Sequence, residues 1–224
     1  MSTTEAVDAT GGGTATRIRE AAIARFGRDG FDAGLRAIAA DAGVTAGLVV
    51  HHFGSKDGLR RACDARVLRL IREEKAKTLT SGTSEMLLTQ LAEVERFAPL
   101  VLYLLRSLQA GGELAAELIV QLTTDAEKYL TAGEAAGVIL PSRDRAARAR
   151  YLAYQSAGGM LLWFTLHGVG APGTFRTAFR QYVDEVTQPA LELFAQGLLV
   201  DRTMLDDFLM QVPDPPEDGS PSAS

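Results

Sequence analysis

The chain has 224 residues, 46% of them hydrophobic, a formal charge of −5 and one cysteine. A chain this long buries roughly 70% of its unfolded surface, enough for one molecule of two modules. No run reaches the 18 or more apolar residues of a membrane span, and the first residues form no apolar signal region, so the expectation is a cytoplasmic protein without a membrane partner. The lone Cys63 excludes an intrachain disulfide and reads as a small semi-buried residue.

In chain order, residues 1–13, with Gly11, Gly12 and Gly13, read as a flexible N-terminal arm. From Thr14 to Asp29, Ile18, Ala22 and Phe26 recur every four residues, the pattern of a helix with one buried face, and Gly30 stops it. Leu35 to Phe53, LRAIAADAGVTAGLVVHHF, then reads as two short helices joined by a tight turn. Leu35, Ile38 and Ala42 form the inward stripe of the first, and Ala39 is small where the two helices must cross. Gly43 sits where the turn takes a positive φ, Thr45 is placed to cap the second helix, and Val49 returns an apolar side chain to the same core. Too small to hold together alone, this corner needs the preceding helix. The result is a three-helix unit ending in a helix-turn-helix, whose second helix is presented to DNA.

The segments RIREAAIARFGRDGFDA, IAADAGV and HHFGSKDGL, in that order, resemble the TetR family of transcriptional regulators over roughly Thr14 to Leu70, about a quarter of the chain. The resemblance implies a homodimer on a double-stranded DNA operator, with 14–74 as the TetR-type DNA-binding domain. Three positions depart from the family pattern. Gly34 stands where a capping Thr or Ser is usual, Ala46 where a Lys follows the capping Thr, and Val50 where a Tyr precedes His-Phe. Thr45, Ala46, Gly47 and Leu48 offer one hydroxyl and apolar surface, which implies thymine-methyl contacts and shape readout, helped by Arg36 and by Arg17 or Arg19. On the family match His51 and His52 serve phosphate contact and helix packing. Ser55 begins the next helix, so Lys56 and the amides after Ser55 make a phosphate site.

Charge distribution agrees with a DNA-facing end. Thr14 to Thr78 carries thirteen Lys or Arg against eight Asp or Glu, a surplus of five, within a chain whose net charge is −5.

Beyond this the pattern is helical almost throughout, giving an all-α fold. Helices are expected near 55–78, 84–97, 99–109, 113–136, 144–167, 174–195 and 202–211, with Pro213 onward a Pro, Ser and acidic tail without an apolar face. Residues 75–212 would then form a helical effector-binding and dimerisation domain. The 144–167 helix opens with Arg143, Arg145, Arg148 and Arg150, turns strongly apolar through Tyr151 to Phe164, and holds Ser156, Ala157, Gly158 and Gly159, which let another helix approach closely. The next places Phe175, Phe179, Tyr182, Val183 and Val186 at helical intervals, and Pro189 is expected to bend it. Members of the resembled family dimerise through their last two long helices, which puts these two in that role. Two recognition helices must sit about 34 Å apart to enter successive major-groove turns.

In the middle helices Phe97, Tyr103 and Leu104 mix with Arg106, Gln109, Glu113, Glu117, Gln121 and Tyr129, an apolar lining with a few polar groups of the kind small-molecule pockets use. Trp163 and His167 would close such a pocket from the other side. The expected mechanism is a population shift, in which a hydrophobic effector changes the separation of the DNA-binding heads. From the resemblance alone follow repression as the usual output and control of a multidrug efflux transporter. No catalytic residue, cofactor or metal site is expected: His51 and His52 are adjacent, a poor spacing for one metal, and no nucleotide-binding glycine motif or nucleophile elbow occurs. The alternatives are a helical protein-binding adaptor and an enzyme with a vestigial helix-turn-helix.

Overall fold

The computed structural model describes residues 4–168 and 173–213. Among the described residues there are ten α-helices and no strand: α1 Thr4–Asp29, α2 Leu35–Asp41, α3 Ala46–Phe53, α4 Lys56–Ser81, α5 Ser84–Ala92, α6 Ala98–Ala110, α7 Gly112–Ala135, α8 Arg145–His167, α9 Phe175–Gln196 and α10 Thr203–Leu209. A short 3₁₀ turn, Val94–Phe97, leads into α6.

Two boundaries differ from expectation. The helix expected from Thr14 starts at Thr4, inside the segment read as an arm, because each added residue gains one hydrogen bond on a helix already nucleated by Ile18, Ala22 and Phe26. The helix expected over 84–97 ends at Ala92, and the 3₁₀ turn Val94–Phe97 then leads into α6, whose first turn holds Pro99. The expected tail lies outside the described residues from 214 onward. The α9 helix continues through Pro189.

Side chains start two of the later helices. Thr83 accepts from the Met86 N–H at 3.3 Å to start α5, and Asp144 accepts from the Ala147 N–H at 2.8 Å to start α8. Gly82, with φ 60°, closes α4 in the left-handed conformation.

Three apolar clusters hold the chain. The first packs Ile18, Ile23, Phe26, Ile38, Val49 and Leu59 of α1 to α4. The second joins Leu104 and Leu105 of α6 with Leu118, Trp163, Phe164 and Phe175. A smaller third unites Ala126 and Leu130 of α7 with Ala149 of α8. Each fully buried large side chain contributes about 1.5–3 kcal/mol. Truncating Phe26, wholly buried in the first cluster, would cost about 3–5 kcal/mol.

The boundary between the two modules is crossed by one unbroken helix. α4 belongs to the first cluster through Leu59, Cys63 and Val67, and to the second through Leu68, the very next residue. Further along, Arg72 Nη1 donates to the buried Asp125 of α7 at 3.0 Å, and Lys128 lies 3.5 Å from the same carboxylate. α4 therefore packs in both of the larger clusters and is tied to α7.

Candidate DNA interface

The helix-turn-helix is built from the residues its spacing singled out. Ala39 and Val49 are buried where α2 and α3 cross, and the Val44 N–H donates to the Ala39 carbonyl at 2.9 Å across the corner. Gly43 has φ 66°, which a residue with a Cβ adopts only with strain. Thr45 accepts from the Leu48 N–H at 3.3 Å and so caps α3. α2 starts at Gly34 without a side-chain cap, and a Cβ there would meet open space, so nothing in the fold demands glycine.

Arg25 of α1 clamps this corner from behind. Its Nε and Nη2 donate to the two oxygens of Asp41 at 2.7 and 2.6 Å, and its Nη1 donates to Asp29 at 2.7 Å. The hydrogen bond from Arg25 holds the Asp41 carboxyl below its ordinary range. Arg25 thus ties α1 to α2 and is occupied by carboxylates.

Facing outward are Arg17 on α1, Arg36 on α2, and Thr45, Gly47, Val50 and His51 along the recognition helix. Leu48, His52 and Lys56 are half-buried. Ala46, like Leu48, is half-buried, and it packs against the first cluster, as does Phe53. Val50 is 45% exposed and offers an apolar surface at the position where the family pattern has a tyrosine. His52 lies tilted against Phe53, with ring centroids 6.2 Å apart.

The turn after α3 is tighter than its sequence suggests. Gly54 has φ 74°, the Ser55 N–H donates to the Phe53 carbonyl at 2.8 Å, and Ser55 Oγ accepts from the Gly58 N–H at 3.0 Å. A Cβ on Gly58 would lie 2.0 Å from the Phe53 carbonyl oxygen. The first turn of α4 is thus pressed onto the last carbonyl of the recognition helix, which fixes the angle between them. Lys56, the first residue of α4, carries its charge at that helix start.

The effector residues inferred from composition are dispersed. Tyr103 is corrected outright: it is fully buried in the first cluster, among α1 to α4. Its ring lies edge-on to Phe31 at 5.7 Å, and its hydroxyl donates to Asp64 Oδ1 at 2.7 Å. The Arg60 carbonyl lies 3.3 Å from the same hydroxyl. Burial pushes the Asp64 carboxyl above its usual range, while the Tyr103 hydroxyl pulls it back. Arg106 Nε donates to the Gly27 carbonyl at 3.3 Å, and a Cβ on Gly27 would sit 3.3 Å from the Tyr103 nitrogen, so α1 and α6 lie in close contact. Gln109, Glu113 and Gln121 are exposed, because the polar faces of α6 and α7 point to solvent while Leu105 and Leu118 point inward. Tyr129 packs on the third cluster, where burial raises its phenol.

Phe97 and Trp163 do meet the same cluster, the second. Trp163 stacks on His167 at 4.2 Å, and its indole N–H donates to Glu185 at 2.7 Å, which holds that carboxyl low. A separate groove of about 610 Å³ runs between α5 and α9, lined by Leu91, Arg180, Asp184, Thr187 and Leu191, and contains none of the residues expected to line a pocket. Among the described residues no group of three or more His, Cys, Asp or Glu is placed to hold a metal ion, and no helix is long and apolar enough to cross a membrane.

An amino-terminal three-helix head with an outward recognition helix, carried on a larger helical body, defines a helix-turn-helix DNA-binding regulator. Comparison with known proteins specifies the class. Residues 18–63 match the family model described as "Bacterial regulatory proteins, tetR family", and residues 95–200 match that described as "Tetracyclin repressor-like, C-terminal domain". The HTH-type transcriptional regulatory protein RaaS of Mycobacterium tuberculosis (strain ATCC 25618 / H37Rv) is 51% identical over 195 residues, covering 87% of this chain and 91% of that relative. The chain belongs to the TetR family of transcriptional regulators, whose members are non-enzymatic, bind operator DNA and act as dimers.

Proposed function

We propose that this protein is a cytoplasmic, homodimeric repressor released from its operator by a small hydrophobic effector. The observation that carries the effector response is Tyr103: a residue of α6, whose neighbours Leu104 and Leu105 line the second cluster, is planted in the core of the DNA-binding head. A molecule that displaces α6 must therefore move the head. The aromatic second cluster, with Phe97, Trp163, Phe164 and Phe175 around α6 and α8, favours an apolar guest, and His167 stacked on Trp163 borders it. A coupling of about 1–3 kcal/mol would weaken operator binding some 5- to 150-fold.

On the DNA side, Arg17, Arg36, His51, His52 and Lys56 meet phosphates, and Thr45, Gly47, Leu48 and Val50 read groove shape and thymine methyls. The exposed apolar side chains of α8 and α9, among them Tyr151, Tyr154, Leu162, Leu166 and Phe194, support a dimer through these two helices. Control of a multidrug efflux transporter rests on the family resemblance alone. The test is a fluorescence anisotropy titration of operator-bound protein with hydrophobic drugs. Release by at least one drug is expected, with Tyr103→Ala showing no drug-dependent change; operator binding indifferent to every drug would overturn the effector reading.

A further inference from the structure

We infer that the carboxy-terminal helix α10 is an arm that crosses to a second copy of this chain and packs on that copy's α8. The inference rests on the dimer reading above and extends it to a segment lying beyond residues 95–200, the part matched by the family model. Val200 is fully exposed, and Met204, Leu205, Phe208 and Met210 are exposed by 45% or more, so an apolar stripe runs the length of the segment with nothing on it among the described residues. A helix of seven residues does not stand alone in water; it needs a surface. Its own chain supplies little: the Asp201 carboxylate accepts from the Thr203 N–H at 2.9 Å, Arg202 pairs with Asp206 at 3.2 Å, and Arg143 donates to the Val212 carbonyl at 3.3 Å. These bonds leave the apolar stripe untouched.

Two observations choose a second copy as the occupant. First, the stripe continues the exposed apolar edge of α9, Leu191, Leu193 and Phe194, through Leu198 and Leu199, so it is an extension of the face already assigned to the dimer. Within one chain the Arg143 to Val212 hydrogen bond ties the end of the arm near the start of its own α8, so the arm leaves the chain beside the face on which Tyr151 and Tyr154 are 65% and 55% exposed. Second, the charges are complementary: the arm carries Asp201, Asp206 and Asp207 against the single Arg202 and so is net acidic, and the opening of α8 is basic, with Arg150 exposed beside the two tyrosines. Residues 214–224 contain no large apolar side chain to cover the stripe. In a two-fold dimer each arm covers the other copy's α8, so one contact is made twice. The arm thus adds a clasp to the α8 and α9 interface.

The test uses the full chain. Tyr154→Cys protein is mixed with a size-tagged Phe208→Cys protein, exchanged, and oxidised; a disulfide-linked species at the mixed mass is expected. In parallel, sedimentation equilibrium on Met204→Asp/Phe208→Asp is expected to show a dimer dissociation constant weakened by about tenfold or more, as for loss of buried anchors. If wild type is dimeric, absence of the mixed cross-link together with an unchanged dissociation constant would overturn the arm while leaving the dimer intact. A monomeric wild type would instead overturn the dimer reading beneath it, and the arm with it. An unchanged dimer constant with a stable complex to another protein would assign the stripe to that other partner and overturn the proposal.

Discussion

Replacing glycine by alanine inside a helix ordinarily stabilises it by about 0.8–1 kcal/mol, and the two glycines flanking the recognition turn should respond in opposite directions. At Gly47, on the exposed side of α3, a new Cβ would meet only Thr45 Oγ1 at 3.9 Å, so Gly47→Ala should gain about 0.5–1 kcal/mol. At Gly58 the same methyl would lie 2.0 Å from the Phe53 carbonyl oxygen, whereas ordinary carbon–oxygen contacts fall at about 3.3 Å or more. The carbonyl has little room to yield, because it accepts from the Ser55 N–H at 2.8 Å and the Phe53 ring packs on the first cluster. Relief therefore requires α3 and α4 to separate by about 1 Å, an overpacking cost of about 1–3 kcal/mol that outweighs the propensity gain. For a chain of this length each kcal/mol shifts Tm by about 2–4 °C. Thermal denaturation should therefore place Gly47→Ala above wild type and Gly58→Ala below it. Operator anisotropy should show Gly58→Ala weakened about tenfold or more, since the recognition helix is re-aimed. A Gly58→Ala protein as stable as wild type with undiminished operator affinity would refute the reasoning.

Three further outcomes follow from the same geometry. Tyr103→Phe leaves Asp64 without the hydroxyl that donates to it at 2.7 Å, costing about 1.5–3 kcal/mol. Because the folded Asp64 carboxyl titrates above its unfolded value, the stability tied to its protonated form is present at low pH and lost as pH rises through the folded pKa. Urea titrations at pH 4.5 and pH 7 should accordingly show a larger wild-type to Tyr103→Phe gap at pH 7; equal gaps would show that Asp64 does not depend on this hydroxyl. Cys63 is fully buried, its S–H donating to the Arg19 carbonyl at 3.8 Å, and burial pushes the thiol well up, so a thiol reagent should react with it only on unfolding. Fast labelling of native protein would contradict this packing. Lys56→Ala should flatten the slope of log affinity against log salt by roughly 0.9 if one phosphate contact is lost, with base preference unchanged. An unaltered slope would assign Lys56 to solvation.

What could be read from the chain was what depends on near neighbours. The caps Thr45 and Ser55, the positive φ at Gly43 and the four-residue stripe of Ile18, Ala22 and Phe26 are set within one or two turns, and each lies where spacing put it. Facing direction was harder. Ala46 reads as surface on a recognition helix because small residues carry almost no periodic signal, and it is half-buried with one side against the first cluster. Tyr103 reads as pocket lining because it sits in an amphipathic helix among polar residues; its partners Asp64 and Arg60 lie 39 and 43 positions earlier, a separation that periodicity does not address. The Gly58 approach to Phe53 was written in the motif HHFGSKDGL, but only the turn geometry shows that the glycine is required. The exposed stripe of α10 is equally silent in a pattern that ranks apolar residues as core.

The most direct test of the account is binding of the purified dimer to DNA from upstream of its own gene, titrated with salt and with scrambled competitor. The account predicts binding at least a thousandfold tighter than to scrambled DNA, falling steeply with salt, in line with typical specificity ratios. Affinity equal for native and scrambled DNA at every salt concentration, for this region and for a genome-wide set of fragments, would contradict operator recognition by this helix-turn-helix.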